Sequence, residues 1–257
     1  LRIYDDMGVA HAVNQACLES VTKGIARSLE VLVPGPWFLE AVQMLKANSD
    51  IDVGVHLDLT SEWSNLKWGP VSKDVPSLVD ENGHFYPTTQ ERPGWPENTG
   101  FLLADWKIEE VERELRAQIE MALRLLPNVT HLSTHMGTAS GAPELAALTN
   151  RLAKEYQLPV QLPDAKWAGG FGSKSDSFED RVSAMIELIE RLGPGLWILV
   201  EHPGMDTPEM RAIGNQGYNN VAEDRTNVTH VFTNNRVQEA IRKRGIKLVS
   251  YADVLGS

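Results

Sequence analysis

One cysteine, Cys17, is all the thiol chemistry in this chain of 257 residues, which excludes an intrachain disulfide framework and any cysteine-only zinc cluster. Basic runs are missing as well. Lys and Arg number 24 against 35 Asp and Glu, a net charge of -11, so neither nucleic acid nor an anionic membrane surface has a basic footprint to meet. A neutral or cationic substrate fits better. No apolar run approaches the ~20 residues of a membrane span, so no membrane insertion is expected. Internal repeats and low-complexity tracts are absent. The chain opens at Leu1 without Met, inside an expected first strand, which reads as a chain trimmed of a signal peptide or a tag. The compartment stays open between the cytoplasm and the periplasm or exterior.

What remains is ordinary globular composition, 42% hydrophobic and 23% charged, in which short apolar or alternating runs recur between helix-period segments. Seven candidate strands follow: "LRIY", "SLEVLV" from Ser28, "DVGVHLDL" from Asp52, "THLSTH" from Thr130, "LPVQLP" from Leu158, "LWILVEH" from Leu196 and "IKLVSY" from Ile246. The clearest helix runs from Lys107 to Leu126, with Ile108, Val111, Leu115, Ile119 and Leu123 on its apolar face and charges on the other. Strand–helix alternation is the signature of β/α units on a parallel sheet. With no doubly wound nucleotide fingerprint, the expected fold is an α/β, irregular (β/α) barrel of about seven parallel strands. One domain over residues 1–257 is expected, with loop insertions at about 61–105 and 164–177. Both insertions follow strands and would wall a pocket at the strands' C-terminal ends, where barrels place their sites.

The opening "LRIYDDMG" sets two acids side by side at the end of a buried strand, where adjacent carboxylates repel and lose solvation. A surface turn explains such a pair, and so does a cation. In "DVGVHLDL" alternation puts His56 on the polar face with Asp52, Gly54 and Asp58, pointing into the barrel. His131, Ser133 and His135 share a face in "THLSTH". An extended strand separates the two histidines by about 13 Å, so they do not share an ion. His135, at the strand end, is the better ligand, and His131 reads as a hydrogen-bonded core histidine. "LWILVEHPG" ends its strand in Glu201 and His202. Asp5, Asp6, His56, His135 and His202 therefore gather at strand ends. Two imidazoles and one carboxylate make an open, hydrolytic site for Zn2+, with one acid of the pair on the ion and its neighbour beside it as a base.

These segments, in order, resemble the YdjC-like carbohydrate deacetylases, the family of the chitooligosaccharide deacetylases. "YDDMG" is similar to the family's Asp-Asp-Phe-Gly opening, "GIARSLEVLVPGP" to its second strand, and "VGVHLDLT" to its Gly-x-His-x-x-Leu-Thr element. "RELRAQIE" with "THLSTH" resembles the helix and histidine strand, and "EHPG" the late His-Pro-Gly turn. The resemblance implies an irregular (β/α) barrel and metal-dependent removal of an N-acetyl group from an amino sugar or chitooligosaccharide. It also implies Asp6, His56 and His135 as ligands of one divalent ion, Zn2+ or alternatively Mg2+, with Asp5 as general base and His202 as general acid. A small N-acetylated carbohydrate is the implied partner, and a homodimer is compatible with it.

The chain departs from the pattern at Met7, where the family has Phe, at Ser133, where members often carry Asp, and after His135, where "MGTASG" replaces a histidine-rich tail. Those changes bear on substrate and on support of the ligands, not on their number. Trp37, Trp63, Trp68, Trp95 and Trp106 are candidates to stack on sugar rings, with packing as their plain alternative. Arg225 in "EDRTNV" is similar to a family arginine near the C-terminal region. Two other functions compete: a barrel metallohydrolase acting on another amide or a phosphoester, for which Asp58 and Asp164 are spare ligands, and a non-catalytic sugar-binding protein.

Overall fold

The computed structural model describes residues 2–126 and 128–256, and side chains from Asp6 onward. Six strands, β1 (Arg2–Met7), β2 (Ser28–Val31), β3 (Asp52–Leu57), β4 (Val129–Thr134), β5 (Lys166–Trp167) and β6 (Trp197–Glu201), form one sheet in the order β4-β3-β2-β1-β6-β5. Every pairing is parallel. The helices are α1 (His11–Thr22), α2 (Phe38–Ala47), α3 (Ile108–Leu125), α4 (Pro143–Tyr156), α5 (Phe178–Arg191), α6 (Pro208–Ala212), α7 (Val221–Thr233), α8 (Asn235–Lys243) and α9 (Tyr251–Leu255). Parallel neighbours need long crossovers, and α1 and α2 supply them between the first three strands. All residues of β2 and β3 are buried, as expected of strands covered on both faces.

The sheet curls. Beyond β4, Leu132 N–H donates to Pro159 O at 3.0 Å, and the same stretch of chain runs on into β5, where Lys166 and Ala168 donate to Leu196 O and Ile198 O. Residues 158–168 therefore touch both edges of the sheet, and this is a mixed α/β fold of parallel strands bent toward a barrel. Two expected strands do not form. "LPVQLP" makes no ladder, because Pro159 and Pro163 have no N–H to give; the short β5 forms past them instead. "IKLVSY" passes β6 across an apolar groove of about 600 Å3 lined by Trp197, Leu199 and Ile246. Its end is a helix start: Ser250 accepts from Asp253 N–H, and the Asp253 carboxylate accepts from Ser250 N–H, a capping box.

Helix α3 buries Val111, Leu115, Ile119 and Ala122, while the expected Leu123 is 39% exposed. Ala122 sits three residues after Ile119, on the inward stripe, and Leu123 has turned past it. The charges are not all solvated either. Glu110 accepts from the backbone and hydroxyl of Ser77, both at 2.8 Å, and Glu114 from Val71 N–H at 3.0 Å and Ser72 N–H at 2.7 Å. Gln118 brackets Asp58, accepting from its N–H at 2.9 Å and donating to its C=O at 2.7 Å. The loop of residues 61–105 is thus pinned to α3 through its own backbone. Truncating Glu114 leaves two loop N–H groups without an acceptor. Glu114→Ala is expected to lower stability by roughly 1–3 kcal/mol, read as a lower urea midpoint; an unchanged midpoint would show that the loop is held by other contacts.

Candidate metal centre

Strict alternation along β1 does not by itself aim Asp6 at the interior. The register of β1 on β2 shifts between Tyr4 and Met7, and within that irregularity Asp6 takes a left-handed φ of 71°. A bulge re-aims a side chain in this way, and Asp tolerates the conformation better than most residues. The result is a fully buried carboxylate whose Oδ1 lies 3.8 Å from His56 Nε2 and 3.1 Å from His135 Nδ1. His56 comes from the end of β3. His135 follows β4 at once, where Met136 and Gly137 adopt left-handed angles and turn the chain away.

Asp6, His56 and His135 offer one ligand atom each, all within 4.8 Å of one another. Among the described residues this is the one such group of His, Cys, Asp and Glu. Asp6 Oδ1 and His135 Nδ1 are both buried, facing each other at 3.1 Å without the alignment of a good hydrogen bond. Poorly satisfied polar atoms of this kind are costly, and an ion accepting an electron pair from each would satisfy them. The nitrogen–nitrogen–oxygen donor set and this facing pair both fit a bound metal.

Further groups fix these three in place. Arg225 of α7 donates to Asp6 Oδ2 at 2.9 Å and lies over the Trp63 ring. His135 Nε2 meets the buried Glu62 Oε2 at 3.1 Å, leaving Nδ1 to face Asp6. A carboxylate behind a ligating imidazole orients the ring and raises its basicity. Burial pushes the Asp6 carboxyl up, but His135, His202 and Arg225 outweigh it and hold the group well below the usual carboxylate range. Burial, reinforced by His135, holds His56 well below an ordinary histidine. His135 goes the other way: burial disfavours its charge, yet Glu62, Asp58 and Asp6 together raise it well above the ordinary value.

The three residues open on a cavity of about 760 Å3 that is also lined by His202, Glu201 and Trp63. His202 follows β6, and burial keeps its pKa below the ordinary value. Glu62, Trp63 and Arg92 of the first expected insertion and Phe171 to Lys174 of the second wall this cavity, so both loops serve the site. Asp5 is in β1, and its side chain lies outside the described residues. Of the five tryptophans considered, Trp63 alone lines the cavity. Trp106 stacks on Phe101, Trp95 lies under Arg92, Trp37 is 40% exposed, and Trp68 is buried with Nε1 donating to Asp58 Oδ2 at 2.6 Å. Asp58 is thereby committed to the wall behind His135, its carboxyl pushed up to about 7 by burial. Asp164 is exposed and away from the group, so neither spare acid joins it. Sequence reasoning missed Glu62 and the role of Arg225, since nothing in local spacing marks a partner brought in by tertiary contact. Glu201, named only as a strand end, faces the cavity with its carboxyl pushed up to about 7 by burial and by Asp224.

A parallel α/β sheet with a buried Asp-His-His group at its C-terminal ends defines a mixed α/β protein with a candidate metal site. The profile of the YdjC-like proteins matches residues 4–243, and the chain belongs to this family. It is 33% identical over 234 residues to a carbohydrate deacetylase of Thermus thermophilus, covering 82% of this chain and 79% of that one. A carbohydrate deacetylase of Brevibacillus brevis is 26% identical over 97% of both chains. Among solved structures, a proposed cellobiose-phosphate cleavage protein of Enterococcus faecalis superposes with a TM-score of 0.77 at 25% identity, over 98% of this chain and 96% of that one.

The raised pKa of His135 has a measurable consequence. A metal must displace its proton, so Zn2+ loading at pH 7 is expected to release about one proton per ion, and affinity should rise with pH until His135 is neutral without help. Calorimetry in buffers of different ionisation enthalpy counts that proton. Zero release, with Zn2+ bound, would show that His135 is already neutral or stands outside the metal's coordination.

Proposed function

We propose that this protein removes N-acetyl groups from amino sugars or chitooligosaccharide-like substrates by metal-dependent hydrolysis. The observation that carries the reading is the buried group of Asp6, His56 and His135 at the base of a walled cavity, in a chain whose relatives bear the name carbohydrate deacetylase. Asp6, His56 and His135 would hold one divalent ion, and their mixed nitrogen and oxygen donors favour Zn2+ over the oxygen-seeking Mg2+. Such an ion, when bound, supplies Lewis acidity toward a carbonyl and lowers the pKa of water toward ~7. We read the chain as one domain with the irregular (β/α) barrel of its family.

The chain's own residues then divide the work. Arg225 holds Asp6 Oδ2, which keeps Oδ1 turned to the imidazoles. Asp5 is the proposed general base, taking a proton from the attacking water. His202 is the proposed general acid, handing a proton from its imidazole to the leaving amine. Burial makes its imidazolium a stronger acid than an ordinary histidine, which favours that transfer and narrows the pH range in which the proton is present. Trp63 and the two loops line the cavity that would receive the sugar.

Acetate release from a panel of N-acetylated mono- and oligosaccharides tests this, using chelated protein with and without Zn2+. Asp5→Asn and His202→Gln are each expected to reduce release by roughly 10^2–10^4-fold while the Zn2+ content stays at wild-type level. Full activity in Asp5→Asn would remove Asp5 from the mechanism. No acetate from any sugar by Zn2+-loaded wild type would move the bond cleaved elsewhere.

A further inference from the structure

Barrel interiors are usually filled with branched apolar side chains, yet a carboxylate stands in this one. Glu30, in the middle of β2, is fully buried. Its Oε1 meets His131 Nε2 at 2.5 Å and its Oε2 accepts from Ser133 Oγ at 2.6 Å. Ser133 in turn lies 2.6 Å from His56 Nδ1. Room for this arrangement comes from Gly54 of β3, between His56 and Asp52 on the same face: a Cβ there would lie 2.3 Å from Glu30 Oε2 and 2.5 Å from His131 Nε2.

Hydrogen counting gives the chain a direction. A carboxylate only accepts, and a serine hydroxyl has a single hydrogen. With that hydrogen committed to Glu30, the Ser133 oxygen can only accept from His56, so the proton of the neutral imidazole sits on Nδ1. The lone pair is then on Nε2, the atom that faces Asp6 Oδ1. In water a free imidazole is not held to this choice; the relay imposes it.

We infer that Glu30 is a positioning residue which, through Ser133, fixes the tautomer and ring orientation of His56 so that Nε2 is ready to bind a metal. The two imidazoles are therefore aimed by different carboxylates, His135 by Glu62 directly and His56 by Glu30 through a hydroxyl. The inference rests on the reading of His56 as a ligand, and it is independent of which bond the protein cleaves.

The test begins with the metal-free protein. Long-range 1H–15N correlation on 15N-histidine-labelled protein, with the His56 ring assigned by its loss in His56→Gln, reads the tautomer directly. Wild type is expected to carry the proton on Nδ1. Ser133→Ala should release the ring toward the Nε2–H form and weaken Zn2+ binding, measured by competition with a chromophoric chelator, by roughly 10–100-fold. Ser133→Thr keeps a hydroxyl and should restore both readouts. Thermal melts of the three proteins separate loss of fold from loss of aim. A wild-type His56 protonated on Nε2, or a folded Ser133→Ala with unchanged tautomer and affinity, overturns the inference. Failure to release acetate with Zn2+ bound would count against the deacetylase reading and leave the tautomer result standing.

Discussion

Burying the Asp6 carboxylate is the constraint to which the rest of the site answers. A lone ionised carboxylate in a dry interior loses several kcal/mol of solvation after relaxation, and opposite charge with good hydrogen-bond geometry must offset it. Arg225 reaches it from α7, 219 residues away in the chain. His135 and His56 approach its other oxygen from β4 and β3, and the bulge in β1 brings the carboxylate between them. Arg225 satisfies Oδ2, while Oδ1 faces the imidazoles without a well-aligned hydrogen bond. The site therefore keeps a negative oxygen facing two imidazole nitrogens, an arrangement that a cation would complete.

Which parts of this were legible beforehand follows from what carries the signal. Period-two alternation is local, and it placed β1 to β4 and β6, put His56 on the inner face and separated His131 from His135. His131 is the buried, hydrogen-bonded histidine expected of it, paired with Glu30 and stacked on Tyr251 at 3.6 Å. Apolar runs without alternation misled: "LPVQLP" looks like a strand until its prolines are weighed, and "IKLVSY" hides a Ser-x-x-Asp helix start. The candidate ligands stood out in the sequence because strand ends recur. Their partners did not, because Glu30, Glu62 and Arg225 have no periodic relation to the residues they hold.

The loop that walls the cavity shows how such partners act. Residues 61–105 have few ladder bonds of their own, only isolated bridges such as Thr60 with Tyr86 and Thr88 with Gly100 among the described residues. Beside turn and loop bonds within their own backbone, the N–H groups of Val71, Ser72 and Ser77 are satisfied by acids buried on α3. Glu62 and Trp63 lie at the start of this loop, and Trp68, bonded to Asp58, packs beside the His135 ring at a centroid distance of 6.4 Å. A helix that reads as a solvated exterior element thus helps to set the position of side chains around the candidate metal ligands.

Below the ligands the polar chain continues. His131 Nδ1 lies 2.7 Å from Thr130 Oγ1, which donates to Asp52 Oδ1 at 2.6 Å. Asp52 Oδ2 accepts from Ser28 Oγ at 2.5 Å and from Tyr251 N–H at 2.9 Å, the first residue of α9. From His56 to α9 a single hydrogen-bonded column thus runs through the sheet, its links drawn from β2, β3 and β4. Networks of this kind gain when every member is satisfied and lose heavily when one is not. Apolar layers would tolerate a methyl group more or less at the cost of packing alone. This column does not, because each hydroxyl has one hydrogen to give and each carboxylate only accepts, so a lost link leaves a buried partner unsatisfied. Helix α9, at the opposite end of the strands from the candidate metal ligands, therefore belongs to the same hydrogen-bonded unit as His56, and the order of the candidate site and the anchoring of α9 under the sheet are one physical problem.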